Sequence, residues 1–173
     1  TKKFGEVQSE VVIKKNKDIT AEARKENIDF SEVSHSTSIS LRVIYNNKSA
    51  LVSTSSTSES DLKKLASKAL EIAKDSLENP YDTIAQKFEL ADSSKIKNLE
   101  IFDNKTNEFK NTSFFEELAI SADRASLNDA KITNTDGSSA GRSDSEYILC
   151  TSNGFKDGYK RSSFYISSSA IAA

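Results

Sequence analysis

At 173 residues, with 36% hydrophobic and 29% charged side chains, the chain is long enough to bury a core and carries a large solvated surface. Its net charge of −2 supplies no excess of cations to neutralise nucleic-acid phosphates. No apolar run approaches the ~20 residues that cross a bilayer, and a single cysteine, Cys150, excludes an internal disulfide and suits a reducing compartment.

Thr1-Lys2-Lys3 leads into no apolar core of a signal peptide. The chain starts without methionine and stops at Ala170-Ile171-Ala172-Ala173, inside strand-like sequence. Residues 1–173 are therefore expected to form one domain, a fragment of a longer protein.

In chain order, Val7, Ser9, Val11 and Ile13 alternate with Gln8, Glu10 and Val12, which predicts a strand to about Lys14. Lys15-Asn16-Lys17-Asp18 reads as a turn. A second strand starts at Ile19, and its phase breaks near Asn27, where a bulge or bend is expected. Ser31 to Ser36 reads as a loop or ragged edge. From Thr37, Ile39, Leu41, Val43 and Tyr45 alternate with polar or smaller positions, then Asn46-Asn47 offers two residues that tolerate positive φ. The chain returns through Ala50, Leu51 and Val52.

Ser58 followed by Asp61 marks a helix start. The stripe Leu62, Leu65, Ala66, Ala69, Ile72, Ala73 and Leu77 carries the helix to Asn79-Pro80, where proline disfavours helical angles before it. Tyr81 to Asn111 reads as a long irregular crossing. Ser113-x-x-Glu116 is a capping box, opening a second helix with the stripe Phe115, Leu118, Ala119, Ala122, Ala125 and Ser126. Strands are then expected over Lys131 to Ala140, Ser145 to Thr151 and Tyr159 to Ile171, with turns at Asn153-Gly154 and Asp157-Gly158. Clustered helices between consecutive strands predict an α+β fold, a largely antiparallel sheet with two main helices in the order ββββ-αα-βββ. The expected core is Val11, Ile13, Leu41, Val43, Leu65, Ala69, Ile72, Leu118, Ala122, Leu149 and Ile166.

Residue chemistry supplies little catalysis. His35 is the single histidine, where a zinc site wants several ligands at short spacing, so a solvated loop histidine is the better reading. Cys150 sits mid-strand with no basic neighbour in sequence and reads as a structural thiol. Nothing selects a carboxylate pair, and no Gly-x-Gly-x-x-Gly or P-loop pattern is present. The remaining candidate is the last strand. Ser163, Tyr165, Ser167 and Ser169 share one of its faces, small residues permit close approach of another chain, and Ser163 to Ala173 holds no Lys, Pro or charge to guard an edge. These four are the candidate contacts for a partner or an extended peptide.

Three stretches resemble one known family. Ser40-Leu-Arg-Val-Ile-Tyr-Asn-Asn-Lys-Ser-Ala-Leu-Val-Ser-Thr-Ser, ending at Ser55, resembles the hairpin before the first long helix of the PmbA/TldD family. Ser152-Asn153-Gly154-Phe155, followed by Gly158-Tyr159 and a Ser-rich strand, resembles a second segment of that family, and Asn79-Pro80-Tyr81 resembles the Asp-Pro-Tyr of its PmbA branch, also called TldE. The chain departs from the pattern at Ser38 and Ser40, where the family usually has Gly, and it lacks the helix that normally precedes the first strand.

The resemblance implies an N-terminal α+β domain of a cytoplasmic bacterial protein. It implies a subunit of a TldD/TldE-type metalloprotease that trims unfolded or modified peptides, including microcin precursors. Zinc belongs to the TldD-like partner, through a His-Glu-x-x-x-His motif in a C-terminal half, and no catalytic, cofactor or metal residue is carried over to this chain. Alternatives are a non-protease binding module of the type labelled modulator of DNA gyrase, or the first domain of the TldD branch itself.

Overall fold

The computed structural model describes residues 7–92, 99–104 and 111–172. The described elements run β1 (Val7–Arg24), β2 (Asn27–Tyr45), β3 (Lys48–Thr54), α1 (Glu59–Asp75), α2 (Thr112–Ser126), β4 (Ile132–Thr151) and β5 (Lys156–Ala172). The strands form one sheet in the order β3-β2-β1-β4-β5. The fold is α+β with an antiparallel sheet. Tyr147 stacks on Tyr159, and the Ser139 and Ser167 hydroxyls lie 2.7 Å apart, both pairs between β4 and β5.

Among the described residues, five strands, all but β3 long, stand where seven shorter ones were expected. Lys15 to Asp18 is continuous strand within β1, because alternate solvated positions of a sheet accept charged residues. The break near Asn27 is a hairpin turn rather than a bulge. Lys25 and Glu26 adopt φ of 52° and 61° there. Ser31 to Ser36 continues β2, and β4 runs through the expected gap between Ala140 and Ser145. Asp157-Gly158 lies inside β5, where Gly158 fits closely under the Tyr147 carbonyl, leaving no room for a Cβ. The Asn46-Asn47 turn is as expected, with φ of 48° and 59° and Tyr45 paired to Lys48. Parts of the irregular crossing, residues 93–98 and 105–110, and the terminal Ala173 lie outside the described residues.

The chain gathers into two compact units. One holds β1 as far as Lys15, the stretch from Ser36 through α1 and beyond, and Glu146–Tyr159. Its core is Val43 and Ala50, paired across the β2–β3 hairpin, against Ala69 and Ala73 of α1. Two alanines one turn apart let the helix backbone approach the sheet. Ser58 accepts the Asp61 N–H at 3.2 Å and caps the helix start. The hairpin's other face buries Ile44. The segment after α1 is pinned nearby: Asn79 N–H donates to the Asn47 carbonyl at 2.7 Å, Ser49 donates to Asp82, and Arg42 bridges Asp82 and Glu10. Ile84 is buried there, and its N–H donates to Gln8 Oε1 at 3.2 Å.

The other unit holds Asn16–His35, residues 99–145 and Lys160–Ala173. Ile19, Ala21 and Ala23 of β1 and Ala140 of β4 pack with Phe115 and Ala119 of α2. Asn111, not Ser113, is the N-cap of α2, and its side chain makes no cap bond. Buried polar groups belong to this unit as well: Asp123, Thr135, Ser138 and Arg142.

The expected core is only partly right. Val43 and Ala69 are buried, and Val11, Ile13, Leu41, Leu65, Leu118, Ala122 and Leu149 are half-buried. Ile72 and Ile166 are exposed, at 41% and 57%. Ile72 falls beside the narrow Ala69–Ala73 stripe rather than on it. Ile166 lies on β5, an edge strand with a neighbour on one side only.

Candidate interaction surface on the final strand

β5 forms an edge of the sheet, and its two sides are distinguishable from its bonds. Ser169 and Ile171 turn their carbonyls toward β4, where Thr135 Oγ1 lies 3.0 Å from the first and Thr133 Oγ1 donates to the second at 3.3 Å. Ser162 turns the other way, and its N–H donates to the Ile101 carbonyl at 3.0 Å. Odd-numbered residues of β5 therefore spend their backbone groups on β4, and even-numbered ones face outward.

The four candidate contacts are odd-numbered and share the face turned away from α2. The structure brings all four together on that face and ties three of them into the sheet. Ser167 and Ser139 hydroxyls lie 2.7 Å apart. Tyr165 reaches across Gly141 of β4 and donates to Thr20 Oγ1 of β1 at 3.2 Å. This reach needs glycine at 141: a Cβ there would stand 2.6 Å from the Tyr165 ring. Ser169 offers its carbonyl to Thr135, and Ser163 is half-buried.

Beside this ladder lies a recess of about 250 Å³ lined by Glu22, Asp29, Asp136, Gly137, Ser139 and Ser169. Residues missing from the sequence reading are Thr20, Ser139 and Gly141, which complete the same face. Their signal was the period-two run Ser139, Gly141, Ser143, Ser145, hidden by the assumed break between two strands.

The other face carries Phe164, Ile166 and Ser168. Arg142, 6% exposed, stacks on the Phe164 ring at 5.0 Å while donating to Asp144 and to the Asp103 carbonyl. Asp103 N–H in turn donates to Ser162 Oγ at 2.7 Å. Residues 101–103 thus cover the edge of β5 at Ser162.

His35 is exposed on β2 and Cys150 is half-buried on β4. Among the described residues, no three His, Cys, Asp or Glu side chains stand where they could hold a metal ion. Nor is any described helix long and apolar enough to cross a membrane.

Residues 9–73, covering the hairpins and nearly all of α1, match the family description PmbA/TldA metallopeptidase domain 1. That stretch is similar to the first domain of the PmbA/TldD family. No curated protein matches it. Its fold is similar to that of TldE from Thermococcus kodakarensis, at 15% identity and a TM-score of 0.77. It is also similar to candidate modulators of DNA gyrase from Bacteroides thetaiotaomicron, at 17% and 0.85, and Thermotoga maritima, at 11% and 0.71. Each likeness covers 96% of this chain, and the chain spans 36% or 37% of those structures' length.

Proposed function

We propose that this chain is the first domain of a PmbA/TldE-like subunit of a TldD/TldE-type zinc metallopeptidase, acting on unfolded or modified peptides of the microcin-precursor kind in the cytoplasm. The carrying observation is the match of residues 9–73 to a metallopeptidase first domain. The likeness to a TldE fold supports the choice of branch. In this reading the chain contributes partner contacts and a wall of the peptide chamber. The zinc and the hydrolytic water belong to a TldD-like partner bearing His-Glu-x-x-x-His.

The test is co-purification of the chain with such a partner, followed by peptide hydrolysis with and without a chelator. The expected result is a stable complex whose activity needs zinc, with no cleavage by the chain alone. Cleavage by the purified chain alone would overturn the assignment.

A second reading rests on the two structures described as candidate DNA gyrase modulators. In it the chain is a binding module with no protease role, and altered gyrase supercoiling without the TldD-like partner would favour it.

A further inference from the structure

A second recess lies beside the β2–β3 turn, within the unit that holds α1. Its volume is about 330 Å³, and its walls come from three separate segments: Gln8 of β1, Asn46 and Asn47 of the turn, and Pro80 and Asp82 after α1. Ile44, 2% exposed, lies at the base, while Asn46, Asn47 and Pro80 are exposed at the rim. The volume falls at the small end of ligand sites, which run roughly 300–1,000 Å³.

The polar groups of this recess divide into spent and unspent. Asp82 accepts from Ser49, Arg42 and Asn79. Gln8 Oε1 accepts the Thr83 hydroxyl and the Ile84 N–H, each at 3.2 Å. The Ile84 amide can only donate, so it fixes which end of the Gln8 carboxamide is oxygen. The Nε2 end, with its two N–H donors, has no hydrogen-bond partner among the described residues, and neither have the Asn46 and Asn47 carboxamides. Charge selects against an ion. The Arg42 cation is shared between Glu10 and Asp82, so no excess positive charge attracts an anion. Asp82 is already engaged by its three donors and holds nothing in reserve for a cation.

We propose that this recess binds a neutral primary carboxamide, the side chain of an asparagine or glutamine on a peptide. A carboxamide oxygen accepts from Gln8 Nε2, and its N–H₂ donates to the Asn46 or Asn47 oxygen, with the aliphatic stem against Ile44 and Pro80. A carboxylate lacks the donors and meets Asp82, and a backbone amide, flanked by chain on both sides, cannot enter end-on. The site needs neither zinc nor a partner subunit, so it does not rest on the metallopeptidase reading.

Nuclear magnetic resonance of the isotope-labelled chain tests it, because side-chain N–H₂ groups give their own signals. The probe is N-acetylglutamine methylamide. The expected result is a saturable shift of the Gln8, Asn46 and Asn47 side-chain signals. Gln8→Glu keeps the acceptor for Thr83 and Ile84 but removes both donors. Asn46→Gly removes a carboxamide and suits the φ of 48° at that position. Each variant should weaken binding by about fivefold or more, the loss of a hydrogen bond or two, with an unchanged circular dichroism spectrum. The proposal is overturned if those signals do not shift saturably, or if both variants bind as the wild type does. Equal shifts with N-acetylglutamate methylamide, N-acetylglycine methylamide or glucose would overturn it as well, since none of these carries a side-chain carboxamide.

Discussion

The Asp123 carboxylate of α2 accepts the backbone N–H of Glu26 at 2.9 Å, holding the β1–β2 turn by its amide. Its second oxygen accepts the Thr135 hydroxyl at 2.9 Å, and Thr135 Oγ1 accepts the Gly137 N–H. One fully buried acid thus joins a helix, a turn and a strand that are distant in sequence. Asp123→Ala should cost about 1–3 kcal/mol, because it strands a turn amide and a buried hydroxyl. Asp123→Asn keeps one acceptor but aims an amide N–H₂ at the other partner, so its loss should fall between. Urea unfolding of the three proteins gives the order. The Arg124–Glu26 ion pair nearby is 60% and 46% exposed and should contribute little, so Arg124→Ala serves as the control.

This contact shows what the sequence could and could not reveal. Asn46-Asn47 was legible as a turn because asparagine tolerates positive φ. Lys25-Glu26 adopts similar angles without that chemistry, held instead by Asp123 through tertiary contact. Asp123 itself continues the Phe115–Ala119 row at helical spacing, but an acidic side chain in such a row carries no sequence signal of burial. The α+β order, the two helices and the exposed final strand followed from periodicity. The faces of β4 did not, because a polar Gly- and Ser-rich stretch looks like a loop until a neighbouring strand pairs with it.

Phe115 should dominate the energetics of its unit. It is 1% exposed and packs against Ile19, Ala21 and Ala23. Phe115→Ala should cost about 3–5 kcal/mol through lost burial and a cavity. Leu65→Ala and Leu118→Ala remove half-buried side chains and should cost about 1–3 kcal/mol each. Chemical denaturation tests the ranking, and a Leu65 effect equal to that of Phe115 would contradict the burial.

Gly141 should resist even alanine. A Cβ there would lie 2.5 Å from the Ile19 carbonyl as well as 2.6 Å from the Tyr165 ring. The ring can swing away and the backbone cannot. Gly141→Ala should therefore cost about 1–3 kcal/mol, in the range of overpacking. Adding Tyr165→Ala should recover little of the loss. Thermal unfolding of the single and double variants separates the two contacts, since full recovery would assign the clash to Tyr165 alone.

Zinc should bind the chain no better than it binds an ordinary protein surface. His35 is exposed, and no three potential ligands converge among the described residues. Equilibrium dialysis should find no stoichiometric, tightly held ion. His35→Ala and Cys150→Ser variants should behave as the wild type does.

The start of α1 should carry a pH dependence of known sign. The Ser56 hydroxyl, donating to Asp61 at 2.6 Å, and then the Ser58 hydroxyl at 2.8 Å hold the Asp61 carboxyl below its ordinary value of 3.8. A carboxylate in the first helical turn also suits the positive end of the helix dipole. With the folded-state value depressed, the unfolded chain binds the proton more readily. The stabilisation is then complete above 3.8 and is lost as pH falls through the lower folded value. The stability difference between wild type and Asp61→Asn should be constant from neutral pH down to about 5 and should shrink below 3.8. Ser56→Ala should reduce that difference more than Ser58→Ala does when the Ser58 cap loss is subtracted through the Ser58→Ala, Asp61→Asn double variant. A difference that grows on acidification would reverse the sign and rule out the hydroxyl-stabilised carboxylate.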